Sequence, residues 1–227
     1  SAQEKWWIGR RRRAGICSRP VSPAGAQPVL VRSPGSRSVQ GVPRHNTTND
    51  GVVALIVPGI GNSGPGHWQT LWEERHPGWQ RVQQRDWDRP VCVEWLLGLD
   101  AAMARLSAPP VLIAHSMGCP LVAHWAKRSS LPVRAAFLVA VPDPAGPMFP
   151  PAAQGFQPVP SEKLRFPSLV VASSNDPFGS VAYARRCAAD WGSDFVEVGG
   201  VGHINADSGL GDWPAGLVLF DGFLKSL

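Results

Sequence analysis

Ser116 is the residue in this sequence that most invites a chemical reading. It lies in VLIAHSMGCPLVAHWA (111–126), where an apolar run ends at a His-Ser pair and resumes with helical spacing. The local pattern is small-x-Ser-x-Gly: Ala114, His115, Ser116, Met117, Gly118. A strand that turns this sharply into a helix holds its serine in a strained conformation. It needs small neighbours two before and two after, so that strand and helix can approach. The first N–H groups of the helix point at the serine oxygen and favour developing negative charge there. The competing reading is a plain turn in a packed core, and the rest of the chain has to decide between the two.

A serine hydroxyl is a weak nucleophile unless a base takes its proton and a third group orients that base. Where such an elbow occurs in an α/β sheet, the chain order is Ser, then Asp, then His. Two aspartates follow apolar runs after Ser116: Asp143 in VAVPDP and Asp176 in VASSNDP. Asp176 is preferred, because it follows the penultimate strand; Asp143 follows the strand after the elbow and is the alternative. The expected base is His203, in GGVGHIN directly after the run DFVEV, where Gly199, Gly200 and Gly202 let the loop fold back. His124 falls within the helix after the elbow and is expected to be a packed or surface side chain. His115 is expected to point to the other side of the strand end from the serine.

A tetrahedral intermediate needs a second N–H donor besides that of Met117. The loop after the first strand, PGIGNSGPGHW, is placed to supply it. The backbone N–H of Ile60 is the expected donor, with Gly61 second, because Gly59 and Gly61 allow close approach. The loop's glycine spacing could be mistaken for a phosphate cradle. It lacks the Lys-Ser/Thr of a P-loop, and no acidic residue ends the second strand in the dinucleotide-binding manner.

The elements that must position these groups are visible from Gly51 onward. Apolar runs VVALIVPG (52–59), PVLIAHS (110–116), VRAAFLVAVPD (133–143), SLVVASSND (168–176) and DFVEVGG (194–200) alternate with segments of helical length such as HWQTLWEERHPG (67–78) and SVAYARRCAADWG (180–192). Strand and helix in alternation predict a mostly parallel, doubly wound α/β sheet with helices on both faces. The nearly continuous apolar strands fit burial on both sides. Val91, Trp95, Leu99, Met103 and Leu106 recur at three- and four-residue spacing, an amphipathic helical stripe. In such sheets the working residues sit beyond the carboxyl ends of the strands.

Taken together, PGIGNSGPGHWQTLWE, QRDWDRP, IAHSMGCPLVAHWA, VASSNDP and GGVGHINADSGLGDWPAG resemble the small serine hydrolases of α/β-hydrolase fold related to retinoblastoma-binding protein 9. The resemblance covers about residues 51–227. It implies a compact hydrolase without a large cap domain and, by position, a Ser116–Asp176–His203 triad. Residues 144–166 are the only stretch long enough for a rim loop, and their prolines predict a border rather than a cap; QRDWDRP is expected to line the mouth.

Composition narrows the remaining options. The formal charge of +5 is unevenly divided. Residues 1–50 hold nine Lys and Arg against two Asp and Glu, a net +7, whereas residues 51–227 hold 13 against 15, a net −2. The first fifty residues are rich in Ser, Pro, Gly and Arg without periodicity, which predicts a disordered basic leader. Its Arg10–Arg13 run lacks the aromatic interleaving of a nucleic-acid groove and the apolar segment of a secretory signal. No nucleic acid partner is expected. No apolar run reaches the roughly 18 residues of a membrane span, so no membrane association is expected. Cys17, Cys92, Cys119 and Cys187 are scattered without metal-ligand spacing, which predicts reduced thiols, a cytoplasmic protein and neither metal nor cofactor. The expectation is a cofactor-free serine hydrolase acting on a small-molecule carboxylic ester or amide. The rival is a non-catalytic protein-interaction module that keeps the fold, since fold alone does not assign function. Oligomeric state and substrate identity have no signature in the sequence.

Overall fold

The computed structural model describes residues 51–227. The basic leader expected over residues 1–50 lies outside the described residues. Six strands form one sheet: β1 (Ala54–Val57), β2 (Gln80–Arg81), β3 (Val111–His115), β4 (Ala135–Val139), β5 (Ser168–Ala172) and β6 (Asp194–Glu197). Their order is β2-β1-β3-β4-β5-β6, and every pairing is parallel. Five helices connect or follow them: α1 (Trp68–Arg75), α2 (Cys92–Met103), α3 (Gly118–Arg128), α4 (Val181–Trp191) and α5 (Pro214–Lys225).

Alternation along the strands sorts the core into two layers. Leu55, Val57, Leu112, Ala114, Ala136, Leu138, Val170 and Ala172 face one side, with the buried residues of α2, α3 and α4. Ala54, Ile56, Val111, Ile113, Phe137, Val139, Leu169 and Val171 face the other, with α1 and α5. A period of two on a sheet buried on both faces requires apolar residues at every position, which is why β1, β3, β4 and β5 read as unbroken runs. The layering also follows from right-handed crossovers. The unit β1–α1–β2 steps to one edge, whereas the later units step towards the other and place their helices on the opposite face.

The α1/α5 layer is aromatic. Trp72 stacks on Trp213 at 6.2 Å and meets Trp68, Trp79 and Phe220 edge-on or tilted. Such pairs each add about 0.5–1.5 kcal/mol beyond simple burial. The indole N–H groups find acceptors as burial demands: Trp72 donates to the Asp212 carbonyl at 2.6 Å and Trp68 to the Ile204 carbonyl at 2.8 Å. The second contact pins the loop after β6 to α1.

The sheet order reverses between β1 and β3. The loops leaving the carboxyl ends of those two strands therefore diverge and leave a crevice, the usual place for a site in an open parallel sheet. Residues 144–166 cross the rim without a helix and are joined to the stretch before α2 by one bridge, Val91 to Gln154. They form a border, as their prolines imply, and among the described residues no large cap covers the sheet.

Candidate active site

Ser116 sits where β3 becomes α3, with φ +52, a left-handed conformation that costs a non-glycine residue energy. The surroundings hold it there. Its N–H donates to the Val139 carbonyl at 2.9 Å, and its carbonyl accepts the Cys119 N–H at 2.8 Å. A side chain at Gly118 would place its Cβ 2.2 Å from the Val57 carbonyl oxygen, so only glycine lets α3 start this close to β1. Ala114 is fully buried in β3. The glycine of the small-x-Ser-x-Gly pattern thus has a steric cause.

Asp176 and His203 come to the same point from two further strand ends. His203 Nδ1–H donates to both Asp176 carboxylate oxygens at 2.9 Å, and the Ser116 hydroxyl donates to His203 Nε2 at 2.9 Å. The Asp176 side chain is 2 % exposed and that of His203 9 %, so the pair is shielded while Ser116 remains half-buried. Asp176 Oδ1 also accepts the Phe178 N–H at 2.9 Å, which fixes the carboxylate on its own turn. Asp143 does not join them. Its carboxylate accepts the Ala145 N–H, and its backbone N–H donates to the Phe178 carbonyl at 2.8 Å.

Several residues that build this arrangement were given no role from the sequence. Asn175 Oδ1 accepts the Gly202 N–H at 2.7 Å, and Ser173 Oγ accepts the Val201 N–H at 3.0 Å, so the β5 end draws in the loop that carries His203. The Phe178 ring lies 4.4 Å from the His203 imidazole, centroid to centroid. His115 makes a contact that the sequence did not reveal. Its Nε2–H donates to the His203 carbonyl at 2.9 Å, linking the residue before the serine to the loop that carries His203. The strand's alternation places it there, on the α1 face with Val111 and Ile113, where it also meets Trp68. His67, given no role from the sequence, caps α1 by accepting the Gln69 N–H and packs edge-on against His115 at 4.6 Å. Burial lowers His67 to a pKa of about 3, and burial holds His115 well below the usual histidine range. Both rings are therefore neutral beside His203, where a cation would disfavour a positive charge on that imidazole. His124, by contrast, contacts the Phe156 carbonyl on the outer face of α3, as a packed side chain.

The loop after β1 touches the elbow directly. A Cβ at Gly59 would stand 2.9 Å from Ser116 Cβ and 3.2 Å from the Met117 nitrogen. The Gly61 N–H is committed to the Trp87 carbonyl at 3.1 Å, which leaves Ile60 the better of the two donors weighed from sequence. Among the described residues no group of three or more His, Cys, Asp or Glu side chains is arranged to hold a metal ion, and Cys92, Cys119 and Cys187 are free and buried. No helix among them is long and apolar enough to cross a membrane.

Comparison with known proteins agrees with this geometry. The family model described as serine hydrolase matches residues 54–222. A structure from Pectobacterium atrosepticum, described as a YdeN-like hydrolase, is 32% identical, with 77% of this chain and 91% of that chain covered and a TM-score of 0.69. The ydeN gene product of B. subtilis is 18% identical over 77% of this chain and 99% of its own, with a TM-score of 0.65. The esterase domain of a Rhodothermus marinus protein shares the fold at 18% identity, 75% and 85% coverage and a TM-score of 0.56. The fold is that of the α/β-hydrolases. The comparison with curated proteins gives no match.

Proposed function

The chain belongs to the serine hydrolase family, and from that premise we propose that it cleaves small carboxylic esters, or the corresponding amides, through an acyl-enzyme on Ser116. The observation that carries the reading is the unbroken relay Asp176–His203–Ser116, each contact at 2.9 Å. Ser116 Oγ attacks the carbonyl carbon as His203 Nε2 takes its proton, and Asp176 orients the ring and stabilises the imidazolium. The N–H groups of Ile60 and Met117 hold the oxygen that becomes negative. As the intermediate collapses, His203 returns the proton to the departing alcohol or amine. Water then attacks the acyl-enzyme, gives a proton to His203, and releases the acid with Ser116 restored.

The motifs quoted above lead us to infer a closer kinship with the small hydrolases related to retinoblastoma-binding protein 9, and a hydrolase domain spanning residues 51–227. A purely interacting module would have no use for a nucleophile, base and orienting carboxylate in register. The open rim, with a border instead of a cap, favours small substrates that reach Ser116 directly. The test is hydrolysis of p-nitrophenyl butyrate. Ser116→Ala and His203→Ala should each lower turnover by about four orders of magnitude or more with the fold retained. Undiminished hydrolysis by Ser116→Ala would refute the assignment.

A further inference from the structure

The loop expected to carry the second oxyanion donor is bent into an unfavourable shape. Gly61, Asn62 and Ser63 have φ +78, +61 and +47, so three consecutive residues after Ile60, two of them not glycine, stand in the left-handed region. Left to itself, such a turn would relax and take the Ile60 N–H with it. What opposes this is Arg81. Its Nη1 donates to the Asn62 carbonyl at 2.7 Å, to Asn62 Oδ1 at 3.2 Å and to the Ser63 carbonyl at 3.4 Å. Its Nη2 donates to Thr70 Oγ1 at 2.8 Å, and its Nε to Glu73 Oε2 at 2.7 Å. Thr70 in turn donates its hydroxyl to the Ser63 carbonyl. The Arg81 side chain is 9 % exposed, and the planar fork uses all three nitrogens at once. Its position follows from the sheet: Arg81 is half of the two-residue strand β2 and pairs with Ile56, just before the loop it grips.

We propose that Arg81 is a positioning residue for the oxyanion site, holding the strained 61–63 turn so that the Ile60 N–H meets the tetrahedral intermediate. The inference rests on the acyl-enzyme reading above. Glu73 neutralises the guanidinium at 2.6 Å, so Arg81 acts through its geometry and not as a cation at the reacting oxygen. An ion pair between α1 and β2 alone would need only Glu73; the three contacts to Asn62 and Ser63 have no purpose in it.

The experiment measures kcat and KM for p-nitrophenyl butyrate, and the Ki of phenylboronic acid, whose tetrahedral adduct on a serine mimics the intermediate. Arg81→Met should lower kcat by about 100-fold, the loss typical of one oxyanion donor, with KM within about twofold. Arg81→Lys keeps the charge but loses the fork, and should still lose about tenfold. The boronate Ki should rise in step with the fall in kcat/KM. Should Arg81→Met fold poorly, Thr70→Val removes one strut by a nearly isosteric change, and a roughly threefold fall in kcat at constant KM is expected. Arg185→Ala, which breaks an exposed ion pair, serves as the unaffected control. Arg81 variants with wild-type kcat per folded molecule, full rescue by lysine, or a boronate Ki that stays constant while kcat falls would each overturn the proposal. Wild-type protein that neither hydrolyses the ester nor reacts with a fluorophosphonate would instead defeat the acyl-enzyme reading, and this inference with it.

Discussion

Two loops of this protein look almost alike in sequence. VPDP follows β4 and SNDP follows β5, each with an aspartate before a proline, and each aspartate caps its own turn through Oδ1 at 2.9 Å. Only the second carboxylate reaches His203. The difference lies in what stands next door. β6 pairs with β5, so the loop after β6 is delivered beside Asp176, one strand removed from Asp143. The Asp143 loop has another part to play: its backbone N–H holds the Phe178 carbonyl, and Gly179 packs so tightly on it that a Cβ would fall 2.2 Å from the Val141 carbonyl oxygen. One loop presents a carboxylate, and its neighbour is the wall that the presenting loop leans on. A shared local motif therefore says little about role until the strand order is known.

The sharpest way to break this contrast is to neutralise the two carboxylates separately. Asp176→Asn should lower turnover by about four orders of magnitude while leaving the melting temperature nearly unaltered, since the amide fits the turn but favours the wrong imidazole tautomer. Steady-state kinetics with circular dichroism reads both quantities. Next in size comes the wall. Gly179→Ala forces backbone to move at the contact with Val141, and overpacking of this kind costs about 1–3 kcal/mol. A lowered melting temperature is expected together with a fall in kcat of about tenfold, because the displaced turn carries Asp176. Asp143→Asn should be the mildest of the three, retaining activity to within about threefold; a loss as deep as that of Asp176→Asn would reverse the roles assigned to the two loops.

The smallest effect concerns histidines that have no carboxylate. His67 is depressed from 6.5 to about 3 by burial, so between those values the unfolded chain holds a proton that the folded chain does not. Its contribution to stability is thus complete above about pH 6.5 and is lost as the pH falls towards 3. Each such proton gives a slope of about 1.4 kcal/mol per pH unit. His67→Asn preserves a cap for the Gln69 N–H and should make urea stability between pH 4 and 6 less steep by about one proton. An unaltered slope would show that His67 is not kept neutral by the fold.

The strands were legible because each is a short apolar run bounded by turn residues, and the elbow because close contact with β1 forces the glycine at 118. Ser116, Asp176 and His203 were each found from a strand end, and the structure brings all three together. What escaped was what acts across the fold. Arg81 lies in a two-residue strand with no periodicity to mark it, and its partners at 62, 63, 70 and 73 are gathered only by β1–β2 pairing. Period two sets the face of His115, but its contact with the His203 carbonyl joins residues 88 apart in sequence and exists only once the loop after β6 folds back. Gln69 is fully buried, yet satisfied by the Ser63 hydroxyl and the Ile113 carbonyl, and reads in sequence as a surface residue of α1. Polar residues that bond between elements leave no local pattern.

The central claim is that Ser116 is the nucleophile, and the most direct measurement is to find the modified atom. The protein treated with a fluorophosphonate and digested should yield a single adduct, by tandem mass spectrometry, on the peptide containing Ser116. Ser116→Ala should give none, and His203→Ala should react far more slowly. An adduct on any other residue of the wild-type protein, or undiminished labelling of Ser116→Ala, would contradict the account.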